Sequence, residues 1–509
     1  MANVTAALFD SWASAWCAGA GGPTALAVAW ADAAGGVEVR AAGGPQAEDG
    51  APVSAQTWFR IGSVSKTLTA LAVLNWAEQA GHDIGAPVSF AFAGAGQAPA
   101  GGGVTLRSLL SHTAGLGNAV ALATPAPGGA AEWLAAAAPC GSRFSYSNTG
   151  YALLGMWMDA VTGLPPAEWL ARFALIPLGI GGGIGFAPPT GAATVRGHVF
   201  DPLGHRREVL ALDFGDRRFA PAGFLWATAH GLGALTRGLL HPPSPRLAAI
   251  VARMATPQSE AIGPGGVSYG LGLFCGESGG RRIVFHEGEI GGFRALVDLD
   301  PERRTGLAMV MNMSGPGPSL RTMLQDGPAA AAGETDGGAP FRPALCRHRG
   351  AVSFAVPSLG IVQVHRASDG LTGFRNGRPF PLRSATPGLY GGRCGGHPVM
   401  IVSKTALDGA AYVYVNGQMA RAVRLRDRSG SRLDPIWFGR YVNGYWIDVR
   451  ATEDGGVRVA TNYTGTAGPA LVLSRRSLAV DAGMMVFRLR DGRPSLWLMG
   501  VNWFHTSGL

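Results

Sequence analysis

In the stretch IGSVSKTLTA, Ile61 to Ala70, a serine stands three residues before a lysine. On a helix, positions i and i+3 share a face, so the Ser63 hydroxyl and the Lys66 amine can meet. That pairing is the one a nucleophile needs from its base. Ser65 is adjacent to Lys66 and points about 100° around the helix, so Ser63 is the better nucleophile. A serine at a helix start also has unpaired N–H groups nearby that could hold an oxyanion. Only two of the 42 basic residues are lysines, Lys66 and Lys404. Arginine keeps its proton near neutral pH, whereas a desolvated lysine can lose it. Lys66 therefore reads as a proton acceptor. The pair alone is weak, because an N-cap serine and a surface lysine give the same spacing.

Two further groups fall in order along the chain. FSYSNTGY, Phe144 to Tyr151, places Tyr146 and Asn148 on a turn just before a helix. A tyrosine beside a charged lysine would have a lowered pKa and could shuttle a proton. VFHEGEIGG, Val284 to Gly292, places His286, Glu287 and Gly288 after a short strand. A strand edge with little side-chain bulk lets a substrate backbone lie alongside. Each group alone is more often structural; their joint order carries the signal.

The elements that must position these groups follow from periodicity. The N-terminal MANVTAALFDSWASAWC is an amphipathic helix, with Val4, Leu8, Trp12 and Trp16 recurring every four residues. TALAVAWAD and GVEVRAAG form a hairpin around a Gly-Gly turn. A helix is expected from Ser63 to Ala80, capped by Gly81. The middle is helix-rich: LRSLLSHTAGL, AEWLAAAAP, NTGYALLGMWMDAVTG, PPAEWLARFAL, TAHGLGALTRGLL and PRLAAIVARMA. Strands return in SYGLGLFC, RRIVFH, GFRALVDLD and TGLAMVMNM, closed by the helix PSLRTMLQ. Strands, a helical insert and strands again predict one antiparallel sheet built from both chain ends. A composition break at Asp326–Ala344 reads as a linker. Short alternating runs of barrel or sandwich composition follow, with a second break at Arg426–Pro435; they predict two small β domains, taken as β-barrels. The expected division is 1–330, 345–425 and 436–509, and the fold class is α+β.

Composition excludes other classes. Of 509 residues, 47% are hydrophobic and 15% charged, which is globular rather than disordered. The net charge of +9 comes from scattered arginines without interleaved aromatics, so nucleic acid is not an expected partner. The five cysteines have no zinc or redox spacing, which predicts free thiols and no metal. No apolar run reaches the ~18 residues of a membrane span, and the N-terminus lacks a signal-peptide pattern. The protein is therefore expected to be soluble and cytoplasmic, with a homodimer left open.

The combination of Ser63-x-x-Lys66, Tyr146-x-Asn148 and His286-x-Gly288 resembles the penicillin-recognising serine hydrolases. These include class C β-lactamases, related esterases and D-aminopeptidase. LLSHTAGL, Leu109 to Leu116, and AGFLWATAHGLGAL, Ala222 to Leu235, also look like this family. The resemblance covers residues 1–330 and implies a β-lactamase/transpeptidase-like fold. It further implies that Ser63 forms an acyl-enzyme while Lys66 and Tyr146 handle protons and Asn148 holds the geometry. The backbone N–H groups of Ser63 and Glu289 would form the oxyanion hole. His286 would reach toward Tyr146 or the substrate, and no cofactor is needed. Lys404-Thr405-Ala406 approximates the family's Lys-Thr-Gly box, but it lies in the β-rich tail, so His286 is the better match.

A chain of this length with two appended β domains is most similar to bacterial D-aminopeptidase. That resemblance implies release of N-terminal D-residues, D-alanine by default, from peptides, amides and esters. It also implies an acid for the substrate's ammonium: Asp481 by position, with Glu287 and Glu289 as rivals. Phe274 stands where that family has a polar residue, which leaves the substrate open. The alternatives are an esterase or β-lactamase-like hydrolase using the same residues, and a non-catalytic scaffold.

Overall fold

The computed structural model describes 23–43, 52–89, 103–116, 144–200, 206–208, 217–259, 267–278 and 280–314, with isolated helical positions at 9, 10, 13, 17, 320 and 321. In the tail it describes 352–356, 360–367, 370–375, 378–386, 389–394, 397–403, 410–415, 418–421, 423–424, 432–443, 445–461, 467–475, 477–480, 483–490, 493–498 and 501–505. The expected linker, Lys404 and the helix AEWLAAAAP lie outside these residues.

The centre is a seven-stranded antiparallel sheet. Its order is Val37–Gly43, Ala25–Ala31, Thr305–Met311, Phe293–Asp300, Arg281–Ile290, Phe274–Ser278 and Ser268–Tyr269. Strands from before and after the helical insert both contribute, as that pattern predicts. Asn312 helps to tie them: its Oδ1 accepts the N–H groups of Thr24 and Ala25 at 3.1 and 2.8 Å.

Period-two alternation assigns the faces. Ala25, Ala27, Ala29 and Ala31 join the large core with the helices, whereas Leu26 and Val28 join a smaller core with Phe9, Ala13 and Leu320. The alanines let the helix Ala229–Leu240 come close. A Cβ at Gly233 would lie 2.9 Å from the Ala29 Cβ.

The helix after Ser63 is the hub of the large core. A 3-10 turn, Gly62–Val64, leads into Ser65–Ala80, which ends at Gly81 in the left-handed conformation (φ 64°). Every residue from Ile61 to Asn75 is buried except Ser63. A helix buried all round cannot leave polar side chains unbonded. Thr67, Thr69 and Asn75 accordingly donate to the carbonyls of Gly272, Pro221 and Phe173.

Several expected elements differ at their ends. The helix in LRSLLSHTAGL stops at Leu110, because His112 turns into the left-handed region (φ 59°). PPAEWLARFAL is a short α-helix, Pro166–Leu170, running into a π turn, Ala171–Leu175. SYGLGLFC breaks into two strands at a turn in which Gly272 has φ 87°. RRIVFH continues to Ile290.

Beyond these, Val352–Arg424 forms a nine-stranded antiparallel sheet. Its two end strands, Gln418–Arg421 and Val423–Arg424, are separated in the chain by one residue, so the sheet curls round on itself. The eight strands from Gly439–Asn443 to Val501–His505 form a closed barrel. Its core includes Trp437 stacked on Phe487, with ring centroids 5.6 Å apart. The class is α+β, with antiparallel β units after the mixed unit of helices and sheet.

Candidate active site

Ser63 and Lys66 meet as their spacing requires. The Ser63 Oγ lies 3.0 Å from the Lys66 Nζ. The 3-10 turn helps, because i and i+3 eclipse there. Ser65 is used elsewhere: its hydroxyl donates to the Gly62 carbonyl at 2.7 Å and accepts the Leu225 N–H at 3.2 Å. It braces the turn that presents Ser63.

Lys66 is fully buried, and burial holds its pKa well below the usual lysine range. Its other two contacts are the Asn148 Oδ1 at 2.6 Å and the Ala222 carbonyl at 2.5 Å. A neutral amine has two N–H groups and one lone pair. Two acceptors take the N–H groups, and the lone pair is left for the Ser63 O–H. Ala222 comes from the short helix Ala220–Gly223, inside the stretch AGFLWATAHGLGAL.

Asn148 begins the helix Asn148–Thr162, capped by the Ser147 hydroxyl on the Gly150 N–H at 3.1 Å. Tyr146, just before the cap, places its ring 4.8 Å from Nζ. Burial raises its pKa well above the ordinary tyrosine value, with a hydrogen bond to Ser63 pulling weakly the other way. The expectation of a lowered pKa is thus corrected. It rested on the lysine charge, whereas burial of the phenol itself dominates, so Tyr146 keeps its proton.

His286 lies behind this group, in a different contact from the expected one. Its Nδ1 is 2.7 Å from the Glu287 carbonyl and its Nε2 is 2.9 Å from the Tyr269 hydroxyl. The carbonyl can only accept, so Nδ1 carries the proton and Tyr269 donates to Nε2. Burial is the main cause that lowers the His286 pKa to about 3, and a proton on Lys66 would push it the same way. His286 is neutral and has no nitrogen left for Tyr146 or a substrate.

Gly288 is where the strand edge meets the serine turn. A Cβ on it would lie 2.0 Å from the Ile61 carbonyl oxygen and 2.7 Å from the Ser63 nitrogen. Gly62, at φ 50°, faces Glu289 in the same way: a Cβ there would lie 2.6 Å from the Glu289 nitrogen. Ile290 pairs with Phe293 across a two-residue turn, so Glu289, opposite Arg294, is the non-bonded pair and sends its N–H away from that partner. The two amides expected at the oxyanion position therefore lie along one glycine seam.

The acidic side chains do not join them. Glu287 pairs with Leu296, which belongs to the core on the far face of the sheet, whereas His286 pairs with Val297 on the helix face. Glu287 accepts the Arg321 N–H at 3.0 Å, and Glu289 is 3.9 Å from Arg294. Strand alternation puts both carboxylates on the face opposite His286. Asp481 lies outside the described residues. No cluster of three or more His, Cys, Asp or Glu able to hold a metal occurs among the described residues. No helix among them is long and apolar enough to cross a membrane.

Sequence reasoning missed Tyr269 and Ala222. A lone tyrosine has no spacing signature, and a carbonyl ligand has no side-chain signature at all. Phe274 forms part of an aromatic wall with Tyr269, Phe144 and Phe285, at ring distances of 4.7, 6.4 and 5.2 Å.

The family model for beta-lactamase matches residues 20–330. No curated protein matches the chain by sequence. Among solved structures, SurE is 24% identical over 82% of this chain and 98% of its own, with a TM-score of 0.59. SurE with D-Leu gives 22% identity, the same coverage and a TM-score of 0.56. The octameric penicillin-binding protein homologue from Pyrococcus abyssi is 18% identical over 98% of this chain and 99% of its own, with a TM-score of 0.53. These structures share the fold. With the family match spanning more than half of its length, the chain belongs to the beta-lactamase family of serine hydrolases.

Proposed function

We propose that the protein hydrolyses amides and esters of D-configured residues through an acyl-enzyme on Ser63, releasing N-terminal D-residues as an aminopeptidase does. The observation that carries this reading is the 3.0 Å contact between Ser63 and Lys66, whose pKa burial holds well below the usual lysine range. The Lys66 lone pair takes the hydroxyl proton as Oγ bonds to the substrate carbonyl carbon. The carbonyl π electrons move to oxygen, beside the Ser63 and Glu289 amides. On collapse the C–N or C–O bond breaks. The leaving group takes a proton from the Tyr146 hydroxyl, which Lys66 resupplies. Water then gives a proton to the same amine as it attacks the acyl-ester carbonyl; the C–Oγ bond breaks, Oγ takes that proton back from Lys66, and the acid product leaves.

The crystal of SurE with D-Leu supports choosing D-configured substrates. A β-lactamase reading is weaker here. The third box offers a neutral imidazole, already bonded to Tyr269, where a cation would attract a substrate carboxylate. A second reading is a D-selective amidase or esterase indifferent to a free amine. The placement of Glu287 and Glu289 on the far face favours it, because the strand then supplies no acid for an ammonium.

The test is a panel of D- and L-amino-acid p-nitroanilides and esters, with free and acetylated amines. The proposal expects turnover of free-amine D-substrates above L, lost in Ser63→Ala. Equal turnover of acetylated substrates would favour the second reading. Failure to turn over any D-amide or D-ester would exclude both.

A further inference from the structure

We propose that His112 is a positioning residue that sets where the Tyr146 hydroxyl stands beside Ser63; this rests on the reading of Ser63 as nucleophile. His112 holds Tyr146 from three sides. Its backbone carbonyl accepts the Ser145 N–H at 2.7 Å. Its ring Nδ1 accepts the Ser147 N–H at 3.1 Å. Between these two anchors the Tyr146 ring lies against the imidazole, with centroids 4.3 Å apart and planes tilted by 36°. One residue thus binds the amide before Tyr146, the amide after it and the ring itself.

The backbone of His112 makes this possible. Its φ of 59° is one of only two left-handed values among the described non-glycine residues. That conformation ends the helix Leu106–Leu110 and turns both carbonyl and imidazole toward residues 145–147. Such a conformation is unfavourable for a residue with a side chain. A second cost falls on the same residue: Nε2 is buried without a hydrogen-bond partner among the described residues. Because Nδ1 accepts, Nε2 carries the proton in the neutral ring. Burial keeps the ring neutral, so Nδ1 retains its lone pair. Two unfavourable features on one residue against a catalytic-type tyrosine are the pattern expected where surrounding structure enforces a functional geometry. The sheet side closes the cage, with Tyr269 4.7 Å from the His112 ring.

The experiment is a double-mutant cycle on the rate of Ser63 acylation by D-alanine p-nitrophenyl ester, read by intact mass. His112→Ala is expected to slow acylation by about 10²-fold, the scale of a displacement near 1 Å. In a Tyr146→Phe background the same change should cost less than about threefold, because no hydroxyl remains to position. His112→Asn should recover acylation to within about tenfold. Its Oδ1 can replace Nδ1 as acceptor, and asparagine tolerates the left-handed backbone. If His112→Ala does not fold, His112→Asn and His112→Phe complete the cycle. Equal losses in both backgrounds would mean a merely structural role and would overturn the inference. Crystal structures of the variants separate it from its parent reading. Tyr146 moved by about 1 Å or more supports it, and an unmoved Tyr146 overturns it, even if the wild-type protein acylates nothing.

Discussion

The Tyr269 hydroxyl donates to His286 Nε2 at 2.9 Å, and this bond removes the third motif's imidazole from the reacting centre. The neighbouring Glu287 carbonyl occupies the other nitrogen. The histidine is a neutral, buried strut between the central sheet and the aromatic wall.

Stability should therefore depend on pH through His286. Its folded pKa, about 3, lies below the unfolded value of about 6.5. Between those values the unfolded chain binds the extra proton, so stability rises with pH through that window and is fully present above it. Asp298, raised to about 6 mainly by burial, gives the opposite slope between about 3.8 and 6. Urea unfolding at pH 5 and 7.5 should show a larger acid loss in the wild type than in His286→Gln. Identical losses would mean that His286 is not buried as a neutral ring.

Tyr269→Phe should leave His286 Nε2 buried without its donor. The expected cost is about 1–3 kcal/mol of folding stability, the usual penalty for an unsatisfied buried group. Denaturant midpoints measure it, and an unchanged midpoint would contradict the assignment.

Lys66→Arg tests whether a neutral amine is required. Guanidinium keeps its charge, and the site offers carbonyl oxygens in place of a carboxylate. Acylation should fall by about 10²–10⁴-fold, the range for losing a general base. Wild-type-like acylation by the arginine variant would rule out Lys66 as the proton acceptor.

Gly288→Ala should damage the seam between strand and serine turn, because its Cβ would lie 2.0 Å from the Ile61 carbonyl oxygen. Overpacking of this kind costs about 1–3 kcal/mol. Glu287→Gln and Glu289→Gln are the controls. With both carboxylates on the opposite face, the preference for a free over an acetylated amine should stay within about threefold of wild type, roughly 0.7 kcal/mol. Loss of that preference in Asp481→Asn would identify the acid that binds the ammonium.

Much of the fold was legible because it follows period and punctuation. The alternation of Ala25–Ala31 reads as a strand, and Gly81 and Gly163 mark the ends of the two helices that carry Lys66 and Asn148. The Ser63–Lys66 pair was legible because one helical turn fixes it. What was not legible depends on contacts across the fold. The sign of the Tyr146 shift follows from how deeply the phenol itself is buried. His286 turns away because of Tyr269, seventeen residues earlier and two strands across. The face on which Glu287 points became clear only from its register with Leu296. Ala222 contributes a carbonyl, which leaves no trace in residue type.

Everything proposed for this site depends on the Ser63 hydroxyl, activated by Lys66, forming the covalent intermediate. Intact-mass and peptide mapping after brief exposure to a D-amino-acid p-nitrophenyl ester tests it most directly. One acyl group per chain is expected, mapped to Ser63, absent in Ser63→Ala and retained in Ser65→Ala. No adduct in the wild type, or an adduct that persists in Ser63→Ala, would contradict it.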